Sequence, residues 1–281
     1  VNKYPLKNMN KKLQTSIATI GTAAIVFAGA AIPAFAATVG ISASAQLNAS
    51  TSVTAQARIA SVITNVTARA DQEITRRISA LNTLSTRVNA MEKLSATEKT
   101  NLSANIQTEL NAMTNLQTQI AADASANNTT TLKTDVDSIT SSYRIFALII
   151  PQGDIEAAAD RVLTTASIFT DLSTKFSTRI SAAQTAGNNV TAATAALTDM
   201  NAKVSDANTQ SQAAASEVSS LTPDNGNATI MASNTATLKD AKTKIIASQQ
   251  DLIAAGVDAQ NIIKALATFK VSASVTATSS L

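Results

Sequence analysis

Asp154, Glu156 and Asp160 form the densest group of carboxylates in the chain, with Arg161 beside them and Asp135 and Asp137 a short way upstream. On a helix, Glu156 and Asp160 lie one turn apart on the same face, a placement that suits an acid and a base flanking a glycosidic bond. A sugar-cleaving cleft usually also offers aromatic platforms. The aromatic side chains beyond residue 36 are Tyr143, Phe146, Phe169, Phe176 and Phe269, and the first four fall on apolar helical stripes. The carboxylates are therefore read as acids near a helix N-terminus, favoured there by the macrodipole, and no catalytic residue is assigned. Asp135 and Asp137 could offer oxygens to calcium, but the following glycine and distal glutamate of an EF-hand loop are missing, and no metal ligand is assigned.

The rest of the chemical inventory is equally spare. The chain has no His, Cys or Trp, which removes imidazole bases, thiol nucleophiles, disulfides and the usual ligands of zinc, haem and iron-sulfur clusters. The glycines beyond residue 36, at positions 40, 153, 187, 226 and 256, are too scattered for a phosphate-binding loop. No Ser-x-x-Lys occurs, and a serine triad would lack its base. No cofactor is expected.

The elements that position these residues are helices. Lys3, Lys7, Lys11 and Lys12 precede an uncharged stretch ending in Pro33 and Ala34-Phe35-Ala36-Ala37, so residues 1–36 read as a secretory signal peptide cut after Ala36. An uncleaved leader is the less favoured reading. The leader carries four lysines and no carboxylate, which leaves 18 basic against 19 acidic side chains and a net charge near −1. The basic balance of the full chain thus belongs to the leader, and no nucleic-acid partner is expected. Residues 37–57 are rich in Ser, Thr and Ala, and residues 271–281 alternate apolar and polar; both read as loose or weakly extended ends.

Between them, apolar residues recur every three or four positions from Ile59 through Met91, and again from Leu102 to Ile120. Ser95 with Glu98 predicts a capping box and a turn near Leu94. Pro151-Gln152-Gly153 predicts the clearest break, with Asp154 capping the helix that follows. Leu197, Met200, Val204, Ala207, Ser211, Ala214, Val218 and Leu221 alternate steps of three and four, a coiled-coil seam. Together these predict an all-α fold: an elongated antiparallel bundle of about six long helices with coiled-coil-like seams, spanning residues 58–270 as one domain.

The most unusual segment is Ser141 to Pro151, where Ile145 to Ile150 form six consecutive apolar residues in a chain with 55 alanines. One helix face cannot hide them all, so they are buried on several sides or form a contact surface. Tyr143, Arg144, Phe146, Ile149 and Ile150 are the candidate interaction residues. Six residues cannot span a bilayer, so membrane contact is limited to an uncleaved leader or a weak surface contact.

The run Ala68 to Ile78, with Ser142 to Gln152 and Ala157-Ala158-Ala159-Asp160-Arg161, resembles a group of uncharacterised secreted helical proteins from small-genome candidate-phylum bacteria. The resemblance covers residues 58–165 and implies a bacterial exported protein, with no activity attached. The expectation is a secreted or extracytoplasmic, non-enzymatic helical protein acting as a spacer, adhesin or scaffold. It would bind a protein or cell-surface partner and self-associate through its seams. The alternatives are a ligand-binding or sensory bundle with a pocket near Tyr143 and Phe146, a membrane-active helical protein, and a carboxylate-dependent wall hydrolase.

Overall fold

The computed structural model describes residues 52–141 and 144–269. Among them are six α-helices: α1 (Ser52–Asn89), α2 (Ala96–Ser125), α3 (Thr129–Ser141), α4 (Ile150–Thr185), α5 (Thr191–Ser219) and α6 (Ala228–Ala267). A single π-helical turn, Ile145–Ile149, leads directly into α4. There is no strand among the described residues, and the all-α bundle expected from the periodicity is what forms. Helix α1 starts earlier than its apolar stripe. Residues 56–58 are exposed, but extending a nucleated helix needs little beyond a backbone without breakers.

The caps follow local chemistry. Ser95 Oγ accepts from the Glu98 amide at 3.2 Å, and Glu98 Oε2 accepts from the Ser95 amide at 2.9 Å, which completes the capping box at the start of α2. Helix α4 ends where Gly187 takes a φ of 81°, so that the Asn188 amide reaches back to the Ala183 carbonyl at 3.1 Å. Outward faces are dressed with threonine. Thr170, Thr174 and Thr178 each return their hydroxyl to the carbonyl four residues back, at 3.1, 3.3 and 3.0 Å, and Thr64, Thr83, Thr108 and Thr114 do the same on α1 and α2.

The chain divides into two compact units, and α4, α5 and α6 contribute to both. In the first, residues 52–157 and 214–242, α1 packs along α2, α3 lies against both, and the π-helical turn touches α1 and α2. The buried face of α1 runs Ile63, Val66, Ala70, Ile74, Arg77, Leu81, Leu84, Val88. Steps of three and four hold throughout, but Arg77 takes the place that the apolar reading gives to Ile78.

In the second unit, residues 158–213 and 243–269, three helical segments share a core of small residues around Phe169 and Phe176. Ala166, Ala193, Ala207, Ala255 and Ala259 let the backbones approach closely. Lys203 pairs with Asp258 at 2.6 Å and Gln210 donates to Asp251 at 3.0 Å. The second contact lies seven residues forward on α5 and seven back on α6. These two segments are therefore antiparallel and locked one heptad apart, as the seam of α5 predicts.

Candidate functional site

The expected break at Pro151-Gln152-Gly153 does not occur: helical backbone continues from Ile145 through Thr185. Pro151 stands directly behind the π-helical turn, where the backbone bonding has already changed register. Gly153 is there for space. A Cβ at this position would collide with the buried Leu84 side chain of α1. Asp154 is consequently an interior residue of α4 rather than its cap, and it accepts from Arg87 Nη1 at 2.5 Å.

The real discontinuity lies seven residues before Pro151. Arg144 adopts a left-handed backbone, φ 42° and ψ 26°, which is strained for a residue with a side chain. Its carbonyl accepts from the Leu148 amide at 2.7 Å and from the Ala147 amide at 3.1 Å. The Ile150 amide then reaches the Ile145 carbonyl, which gives the turn its π geometry. Arg144 Nε donates to Asp224 Oδ2 at 2.9 Å, while Asp224 Oδ1 accepts from the Gly226 amide at 2.9 Å. One buried carboxylate thus secures both the turn between α5 and α6 and the strained residue.

Of the candidate interaction residues, Tyr143 lies outside the described residues. Ile149 is fully buried, with Ile145 and Leu148 beside it in the core. Phe146 and Ile150 are half-buried. Phe146 lies under two guanidinium groups, with Arg76 Cζ at 4.5 Å and Arg77 Cζ at 5.2 Å from its ring centre. Glu73 Oε2 takes both arginines, at 2.8 and 2.6 Å. Burial would raise the Glu73 carboxyl, but the bonds from Arg77 and Arg76 outweigh it and hold the group below its usual range. Arg77 is only 6% exposed, and burial lowers its pKa against the support of Glu73. The Glu73, Arg76, Arg77 cluster belongs to the site but not to the apolar stripe. The sequence signal was an acid four residues before an arginine, which marks a helix pair without revealing that Phe146 covers it.

The carboxylates weighed as acid and base are placed apart from solvent. Glu156 is 0% exposed, Asp160 is buried, and α4 is buried around most of its circumference from Gln152 to Asp160. Burial first, and the charge of Glu98 second, push Glu156 up to about 8, with the Gln152 side chain opposing the rise. Neither carboxyl oxygen of Glu156 and neither polar side-chain atom of Gln152 has a hydrogen-bond partner. A second buried acid, Glu109 on α2, is raised to about 7 by burial. Asp137 pairs with Lys133 at 2.6 Å, and Asp135 is raised by burial and by Asp123.

Large apolar residues also face outward on α6. Ile246, Ile253 and Val257 are 41%, 53% and 52% exposed, at spacings of seven and four that keep them on one side of the helix. Among the described residues, no helix is long and apolar enough to cross a membrane, and no three His, Cys, Asp or Glu residues gather as metal ligands. Comparison with protein-family models, curated proteins and solved structures returns no match.

Proposed function

We propose that the chain is an exported, non-enzymatic helical protein that serves as a spacer or scaffold and docks a protein partner at the cell envelope. The observation that carries this reading is the outward row of Ile246, Ile253 and Val257 on α6. Isolated exposed apolar residues are ordinary, whereas three on one helical stripe form the half-seam that a second helix completes. The leader-like residues 1–36 support export. The burial of Glu156 argues against the wall-hydrolase alternative, because a general acid must touch its substrate.

The test is crosslinking of the purified protein to the producing cells, with the double variant Ile253→Asp and Val257→Asp alongside. Specific capture by the parent and its loss in the variant are expected. Equal capture by both would overturn the docking face, and release of soluble wall fragments by the parent would overturn the non-enzymatic reading. Light scattering on the same samples shows whether the docked partner is a second copy of this chain.

A further inference from the structure

The Gln152 and Glu156 side chains are one helical turn apart on a stretch of α4 that is buried nearly all round, and together they hold four polar atoms without partners. A buried ionised carboxylate requires a cation or several donors, and leaving it bare is strongly unfavourable. The charged groups around it offer neither. From α2, Glu98 faces it with a like charge and is itself tied into its capping box, while Lys99 donates to the Met91 carbonyl. From α1, Arg87 is bound to Asp154, and Arg144 and Asp224 bind each other. Asp160 follows one turn along α4 as a further acid.

We propose that Glu156 and Gln152 form a proton-held lock on the first unit. The protonated carboxyl donates its O–H to the Gln152 amide oxygen, and the Gln152 N–H donates back to the second carboxyl oxygen, which supplies a partner on each side chain to the other. Small side-chain rotations suffice for this at a spacing of four residues. Removal of the proton deletes the donor and adds a second negative charge within reach of that of Glu98. The start of α4 then loosens together with the π-helical turn that precedes it, exposing Ile145, Leu148 and Ile149. Because the folded-state pKa lies above the unfolded value, this contribution is full below about pH 4.5 and is lost as pH rises through about 8. The lock therefore opens on the alkaline side. The inference does not depend on the partner-docking reading.

The test takes the purified protein with Glu109→Gln as parent, to remove the other strongly raised acid, and compares it with the same protein carrying Glu156→Gln as well. Glutamine keeps a donor and an acceptor for Gln152 while abolishing titration. Between about pH 6 and 9 the parent should lose on the order of 10 °C in Tm and the Glu156→Gln protein should lose far less. Infrared spectra of the parent should show a protonated carboxylic-acid carbonyl at neutral pH that disappears on titration through about pH 8. Limited proteolysis should cut the parent near residues 145–150 at the alkaline end. Parallel melting profiles for the two proteins, or no protonated-acid band at neutral pH, would overturn the lock. Recovery of the parent's alkaline Tm on adding calcium or magnesium would also overturn it, by showing that a cation and not a proton occupies the site. The infrared band is read on the parent alone, so the proposal stays decidable even if Glu156→Gln fails to fold.

Discussion

The two units draw on shared helices but handle charge in opposite ways. In the second, two acids beside an alanine-rich seam have polar partners, Lys203 on Asp258 and Gln210 on Asp251. In the first, Glu109 and Glu156 lie inside, with no ion pair on either among the described residues, while the arginines go to Glu73, Asp154 and Asp224. Edge pairs set register and are worth little individually. Unpaired interior acids hold their place by staying neutral. The stability of the first unit is thereby tied to proton activity, and that of the second to packing of small residues.

The most severe break of this contrast is Ile149→Asp, which puts a charge into the core of the first unit without a partner. A loss of about 4 kcal/mol or more is expected, read as a collapsed urea midpoint, with the helical signal from the second unit surviving to higher denaturant. If the two transitions fall together, the units do not unfold independently.

Next comes Glu109. Its carboxyl is raised by burial, so its contribution is complete below about pH 4.5 and is lost as pH climbs to about 7, a change on the order of 3 kcal/mol. Denaturant titrations of the parent and of Glu109→Gln at the two ends of that window should differ by this amount. Equal slopes would place Glu109 in contact with solvent.

A paired glycine experiment sharpens the comparison at a smaller scale. Gly153→Ala should destabilise by about 1 to 3 kcal/mol, because the new methyl meets Leu84 in a filled core. Gly256→Ala should stabilise by about 0.5 to 1 kcal/mol, since its methyl would come no closer than 3.8 Å to Phe169 and helix propensity favours it. Differential scanning calorimetry would resolve both signs. The smallest effect belongs to Lys203→Ala, about 1 kcal/mol or less and fading in salt, because it removes a partly exposed pair from a seam that packing already holds.

How far the sequence carried the fold depends on whether the information was local. The seam of α5 and the capping box at Ser95 are legible because spacing determines them within a few residues. Arg77 was not legible as a buried residue, because its place depends on Glu73 below it and on Phe146, which arrives from almost seventy positions away. Pro151 and Gly153 read as a break by local rules, yet a proline behind a π-helical turn and a glycine under a leucine look the same in sequence as a turn. The candidate site divides the same way. The apolar excess at Ile145 to Ile150 was visible, and burial from several sides accounts for Ile145, Leu148 and Ile149. The left-handed Arg144 and its latch to Asp224 were not, since nothing near Arg144 in the chain announces an acid eighty residues on.

The threonine hydroxyls turned back onto their own helices bear on the medium in which the protein can work. On these faces part of the outward polarity comes from hydroxyls already bonded to the helix backbone, which leaves only the charges between them, such as Asp171 and Lys175 on α4, for dissolved ions to shield. Their solvation changes little between dilute buffer and brine. Circular dichroism across that range should trace a nearly level line.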